Sequence, residues 1–81
     1  MNKVLVIIDV TFLDESYTIF IPVNKKVGTI KNYLIESISE MTGQKLSNNM
    51  QMYEKYTCEI LNNKDFIKDS GIINGSHLFL L

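Results

Sequence analysis

The residues able to do covalent or metal chemistry are few in this chain of 81 residues: one cysteine, Cys58, one histidine, His77, and nine carboxylates. A lone thiol closes no internal disulfide, and one imidazole cannot ligate a metal by itself. Neither a disulfide scaffold nor a zinc module is therefore expected, and a reducing compartment is the default. No Ser, Cys or Asp stands with His77 at triad spacing, no carboxylate pair stands out as an acid/base couple, and no glycine-rich phosphate loop is present. The chemistry left to these residues is recognition, so no catalytic residue, cofactor, metal or small-molecule substrate is expected. Cys58, between Thr57 and Glu59, reads as a small half-buried strand residue. Asp69 reads as a turn residue bonding local amides.

Charge narrows the class of partner. Eight lysines against nine acids leave a formal charge of −1, and the chain has no arginine. It carries neither the basic footprint for a phosphate backbone nor the bidentate fork that reads guanine, so nucleic acid is excluded as a partner. The longest apolar run, Val4 to Ile8, is far short of the roughly 18 residues that suggest a membrane span. Asp9 follows it at once, which also argues against a secretory leader. A cytoplasmic protein without direct membrane insertion is expected. With 46% hydrophobic residues, residues 1–81 should form a single domain, with room for one compact core and one working surface.

The elements follow from periodicity. Lys3 to Phe12 alternates, with Val4, Val6, Ile8 and Val10 on one side and Leu5, Ile7 and Asp9 on the other, the period of a strand. Leu13 to Ser16 supplies turn chemistry. Tyr17 to Ile21 alternates again until Pro22 removes a ladder donor, completing a hairpin. From Val27 the spacing changes to three and four: Val27, Ile30, Leu34, Ile38 and Met41 line an amphipathic helix, widened by Ile35. Gly43 should end it in a left-handed conformation, and either Asn24 or Thr29 should cap its start. Met50 to Tyr53 and Tyr56 to Leu61 read as short strands, Phe66 to Asp69 as a helical turn, Gly71 and Asn74-Gly75 as turn positions, and His77 to Leu81 as the last strand.

Hairpin, helix, short strands, turn and final strand, in that order, resemble the β-grasp or ubiquitin-like fold. The fold class expected is α+β: a mixed sheet of four to five strands with one amphipathic helix on one face, and the first and last strands parallel at its centre. Its most specific segment, Ile67-Lys68-Asp69-Ser70-Gly71-Ile72-Ile73-Asn74-Gly75 leading to Leu78-Phe79-Leu80-Leu81, resembles the crossover into the last strand of ubiquitin-like domains. Within that fold, Ile8-Asp9-Val10, the helix entry Ile30-Lys31-Asn32-Tyr33-Leu34-Ile35 and the ending at Leu80-Leu81 resemble the YukD/EsaB-type accessory proteins of bacterial type VII (WXG100) secretion. The resemblance implies an accessory or regulatory component, peripheral to a membrane complex. Its partner would be a protein, either a membrane component of the machinery or a copy of itself. The alternative is a ubiquitin-like adaptor or scaffold of another pathway. The ending in Leu80-Leu81, where conjugated modifiers and sulfur carriers have Gly-Gly, argues against conjugation.

Two sets of side chains are candidates for binding. If the helix covers the face formed by Val4, Val6, Ile8, Tyr17, Ile19, Ile21, Met50, Met52, Leu78 and Leu80, the opposite face should be polar. Its out-of-phase positions are instead Leu5, Ile7, Phe20, Phe79 and Leu81, with Tyr53 at the margin. Together they are sufficient for an apolar patch of roughly several hundred Å², a size that marks interaction sites, against the alternatives of scattered surface hydrophobes or a central strand apolar on both faces. Lys25, Lys26 and Lys31 stand at the helix start, and Glu36 and Glu40 towards its end. That order opposes the helix dipole, and it reads either as exposed charge tolerated at small cost or as a basic corner for an acidic partner or anionic lipid headgroups.

Overall fold

A computed structural model describes residues 2–81. The chain forms β1 (Lys3–Val10), β2 (Glu15–Pro22), α1 (Val27–Thr42), β3 (Met52–Glu54) and β4 (Ser76–Leu80), with single 3-10 turns at Thr11–Leu13 and Ile67–Asp69. They make one four-stranded sheet in the order β2-β1-β4-β3. β1 runs antiparallel to β2 and parallel to β4, and β3 runs antiparallel to β4, so the sheet is mixed. The expected parallel contact between the chain's first and last strands is present, in the register Val6↔Ser76 to Val10↔Leu80.

One face of this sheet is the core. Val6, Ile8 and Val10 of β1, Leu78 and Leu80 of β4, and Met52 of β3 are all fully buried. Against them α1 buries Val27, Ile30, Leu34, Ile35 and Ile38, as their spacing demands, but Met41, expected on the same stripe, lies in the last turn beyond the sheet and is 63% exposed. Each such side chain contributes about 1.5–3 kcal/mol when taken from water. Ile67, also fully buried, closes one end of the core. Its turn is fixed by two backbone bonds, Ile67 N–H to Lys25 O at 2.9 Å and Lys68 N–H to Val23 O at 3.0 Å.

Several local expectations are corrected. Neither Asn24 nor Thr29 caps α1: the N-cap is Lys26, with no side-chain bond. The first amides of the helix are met by backbone instead, Val27 N–H donating to Asp65 O at 2.8 Å and Gly28 N–H to Asn63 O at 3.0 Å. The C-terminus is as expected, with Gly43 at φ 72 donating to Ser39 O.

Tyr56 to Leu61 forms no strand, because the Glu54 carboxylate draws the chain into a turn. Glu54 accepts from the amides of Tyr56 at 2.9 Å and Thr57 at 2.7 Å and from the Thr57 hydroxyl. Cys58 is then exposed at φ 59, outside any strand. In the crossover it is Ser70, not Asp69, whose side chain bonds the backbone, donating to Ile67 O at 2.7 Å and accepting from Ile72 N–H. The third strand begins at Met52 rather than Met50.

Because Leu78 fills the centre of the sheet's inner face, Leu78→Ala is expected to destabilise the fold by about 2–5 kcal/mol. Urea unfolding should show a lower midpoint with an unchanged slope. An unchanged midpoint would remove β4 from the centre of the core.

Candidate functional site

The face of the sheet turned away from α1 is where the expected binding residues fall. Strand alternation sends Leu5, Ile7 and Asp9 of β1 to this side, together with Ser16, Thr18 and Phe20 of β2, His77 and Phe79 of β4, and Tyr53 of β3. The register sets Leu5 opposite Phe20, Ile7 between Thr18 and His77, and Phe79 between Asp9 and Tyr53. Leu5, Ile7, Phe79 and Tyr53 are half-buried with no second layer over them, and Phe20 is 62% exposed. An oblique apolar band therefore crosses all of the strands from Phe20 to Tyr53. Its upper corner is held by the Asn74-Gly75 turn, where Leu5 N–H donates to Asn74 Oδ1 at 2.8 Å and Gly75, at φ 87, donates to Leu5 O at 2.7 Å.

A polar cluster borders the band. The Ser16 hydroxyl donates to Asp9 Oδ1, and Lys55 Nζ donates to Asp9 Oδ2 at 3.1 Å. The same ammonium lies 5.8 Å from the centre of the Phe79 ring, a cation–π contact worth about 0.5–1 kcal/mol at an exposed site. The Ser16 hydrogen bond foremost, then the Lys55 hydrogen bond and charge and the field of His77, outweigh partial burial and hold the Asp9 carboxyl below its ordinary range. Glu54 is lowered as well, first by the Thr57 amide, then by the Thr57 hydroxyl, the Tyr56 amide and His77. The His77 ring lies 5.6 Å from that of Tyr56, and its Nδ1 is buried without a hydrogen-bond partner.

Two of the expected contact sets are divided by the structure. Leu81, 52% exposed, does not extend the band. It lines a separate groove of about 560 Å³ with Thr11, Phe12, Lys45, Leu46, Ser47 and Met50. Of the basic corner, Lys25 and Lys26 are exposed, but Lys31 is only 6% exposed, so most of that side chain is not available to a partner. Position 31 is four residues from both Val27 and Ile35, so its stem falls within the helix's buried stripe. Lys68 takes its place: the Lys26 and Lys68 ammoniums stand 5.9 and 5.8 Å from the Phe66 ring. Among the described residues no group of His, Cys, Asp and Glu is placed to hold a metal, and no helix is long and apolar enough to cross a membrane.

No protein-family model matches the chain, and no curated protein matches it in sequence. Solved structures do match. The ubiquitin-like domain of the Mycobacterium tuberculosis type VII secretion system protein ECCD1 superposes with a TM-score of 0.75 at 15% identity, covering 100% of this chain and 99% of that one. The fold is ubiquitin-like. A chain of the MycP5-free ESX-5 inner membrane complex gives 0.79 at 12% identity over 100% of this chain, which spans only 21% of that longer one. A protein solved in connection with molecular mimicry of SUMO in DNA repair gives 0.75 at 12% identity, covering 100% and 92%. Identities this low establish the ubiquitin-like fold alone.

The depressed carboxyl yields a pH signature for this ubiquitin-like sheet. A lowered native pKa makes ionised Asp9 stabilising above its ordinary value near 3.8, and that stabilisation is lost as pH falls through the native value. Asp9→Asn should be less stable than the parent at neutral pH by up to about 1 kcal/mol, the scale of a solvent-exposed ion pair. Denaturation midpoints should show the gap closing as the pH falls below 3.8 and through the lowered native value. A gap that stays constant across that range would dissociate Asp9 from Lys55 and Ser16.

Proposed function

We propose that this chain is a non-catalytic ubiquitin-like accessory or regulatory component of a type VII secretion system, acting as a single domain by protein–protein binding on the cytoplasmic side of the membrane. The observation that carries the binding mode is the apolar band of Leu5, Ile7, Phe20, Phe79 and Tyr53 on a sheet face that no element of the fold covers. Large apolar side chains at a sheet centre, bordered by the Asp9–Lys55 pair, have the make-up of an interface: an apolar middle with a charged rim. The assignment to secretion is supported by the resemblance in Ile8-Asp9-Val10 and the helix entry, and by two structural neighbours from type VII systems.

The partner on this reading is a cytoplasm-facing protein component of the secretion complex. Lys25 and Lys26, with Lys68 beside them, add a basic corner suited to an acidic stretch of that partner. Leu81, in its own groove, offers a secondary contact. The alternative reading, a ubiquitin-like adaptor of another pathway, is favoured by the equally good superposition on the SUMO-mimicry protein.

Ile7→Asp and Phe79→Asp, each placing a charge in the band, are expected to keep the circular dichroism spectrum of the parent. They should weaken binding to the secretion complex of the chain's own cell by about tenfold or more. Cells carrying either variant should show reduced export of the system's small helical substrates. Unfolding of both variants would make the band part of the core and end the reading. Intact binding with normal export would exclude the band as the docking surface, and a parent chain that does not bind the complex would favour the adaptor alternative.

A further inference from the structure

The two edges of the sheet are treated differently. The β3 edge is covered by its own chain: Leu61 N–H donates to Met52 O and Glu54 N–H to Glu59 O, both at 2.9 Å, and Tyr53 bridges to Ile60. The β2 edge carries no such cover, although at eight residues β2 is as long as any strand in the fold. Val23 N–H donates to Asn2 O at 2.9 Å, which fixes the hydrogen-bonding phase of the hairpin. Ile21, Ile19 and Tyr17 then bond β1, and Ser16, Thr18 and Phe20 turn their amides and carbonyls outward. Pro22, whose missing N–H would also point outward, bounds this open ladder at one end. Asp14, left-handed at φ 52, bounds it at the other. A long, regular, unprotected edge is a template for another strand.

The charge along the edge says which strand fits. Asp14 and Glu15 stand at its start, and at its finish are Lys25, three residues beyond Pro22, and Lys3, paired with Pro22 across β1. All four are exposed, and none has an ion-pair partner among the described residues. An antiparallel copy of the same edge, turned about a two-fold axis through Thr18, brings each acidic end to the other's basic end. In that register Thr18 meets Thr18 of the second copy, Ser16 meets Phe20, and the outward amides and carbonyls of all three find partners. On the helix side Tyr17, half-buried at the margin of the core, would lie opposite Ile19 of the second copy. An aromatic side chain facing a β-branched one is a favourable cross-strand pair.

We propose that the chain self-associates through β2, in antiparallel two-fold register about Thr18, joining two four-stranded sheets into one continuous sheet. This goes beyond docking through the outer face: the dimer uses the sheet edge and leaves Ile7 and Phe79 free for a different partner. The two helices remain on one side, and the two apolar bands become parts of a single surface.

Sedimentation equilibrium of the full chain from about 10 μM to about 1 mM, the range for a small interface, tests this. The apparent mass should rise from 9.3 kDa towards twice that value, and less so at high salt. Thr18→Pro removes an outward donor and no intrasheet bond, so it should stay monomeric with the parent's spectrum. Glu15→Lys and Lys25→Glu should each weaken association by about tenfold, and the two together should restore it, even if Thr18→Pro fails to fold. A monomer at every concentration, a dimeric and folded Thr18→Pro, or a double reversal no better than the single ones would overturn the β2 dimer. Loss of outer-face binding in Ile7→Asp with dimerisation intact would leave it standing.

Discussion

Parallel pairing of β1 with β4 ties the beginning of the chain to its end, and the other elements take their positions from it. Once Val6↔Ser76 to Val10↔Leu80 is in register, Val6, Ile8, Val10, Leu78 and Leu80 all point to one face, and α1 has an apolar floor to cover. The hairpin can add only on the free side of β1, and β3 only on the free side of β4, which yields the order β2-β1-β4-β3. A parallel pair needs a long crossover, and here α1 and the turn at Ile67–Asp69 are built into it. The same pairing brings Ile7 beside His77 and Asp9 beside Phe79, so the outer band owes its existence to the register that makes the core.

The contrast between faces and between edges has a common physical origin. A four-stranded sheet with one helix has a single face covered. What is left open is therefore the outer face, where an apolar band is bordered by the Asp9–Lys55 pair, and the β2 edge, where backbone donors and acceptors face water. The Glu54 turn closes the β3 edge by folding residues 59–61 back on it. Among the described residues no comparable segment reaches β2. Both open surfaces have the make-up of binding surfaces.

Most of the architecture was legible because its signals are local. The period of two in Lys3 to Val10, the three-four spacing from Val27 to Ile38, and the turn glycines Gly43, Gly71 and Gly75, all at positive φ, each report the geometry of their own neighbourhood. The features missed depend on atoms distant in sequence or on competing local bonds. No side-chain rule reveals that the amides of Val27 and Gly28 are met by the carbonyls of Asp65 and Asn63. Residues 56–61 have strand composition, but the Glu54 carboxylate offers their amides a nearer partner. Burial of Lys31 follows from its spacing to Val27 and Ile35, a position that its charge masks in the sequence.

On the proposed function the uncovered sheet face is where a protein partner docks. The most direct measurement is a residue-by-residue map of amide chemical shifts in the isotopically labelled chain on addition of the cytoplasmic portion of the secretion complex. Perturbations are expected to centre on Leu5, Ile7, Tyr53 and Phe79 and to leave the exposed side of α1 at Asn32, Glu36 and Glu40 unchanged. Perturbations centred on that helical side, with the β1 and β4 outer positions silent, would contradict it.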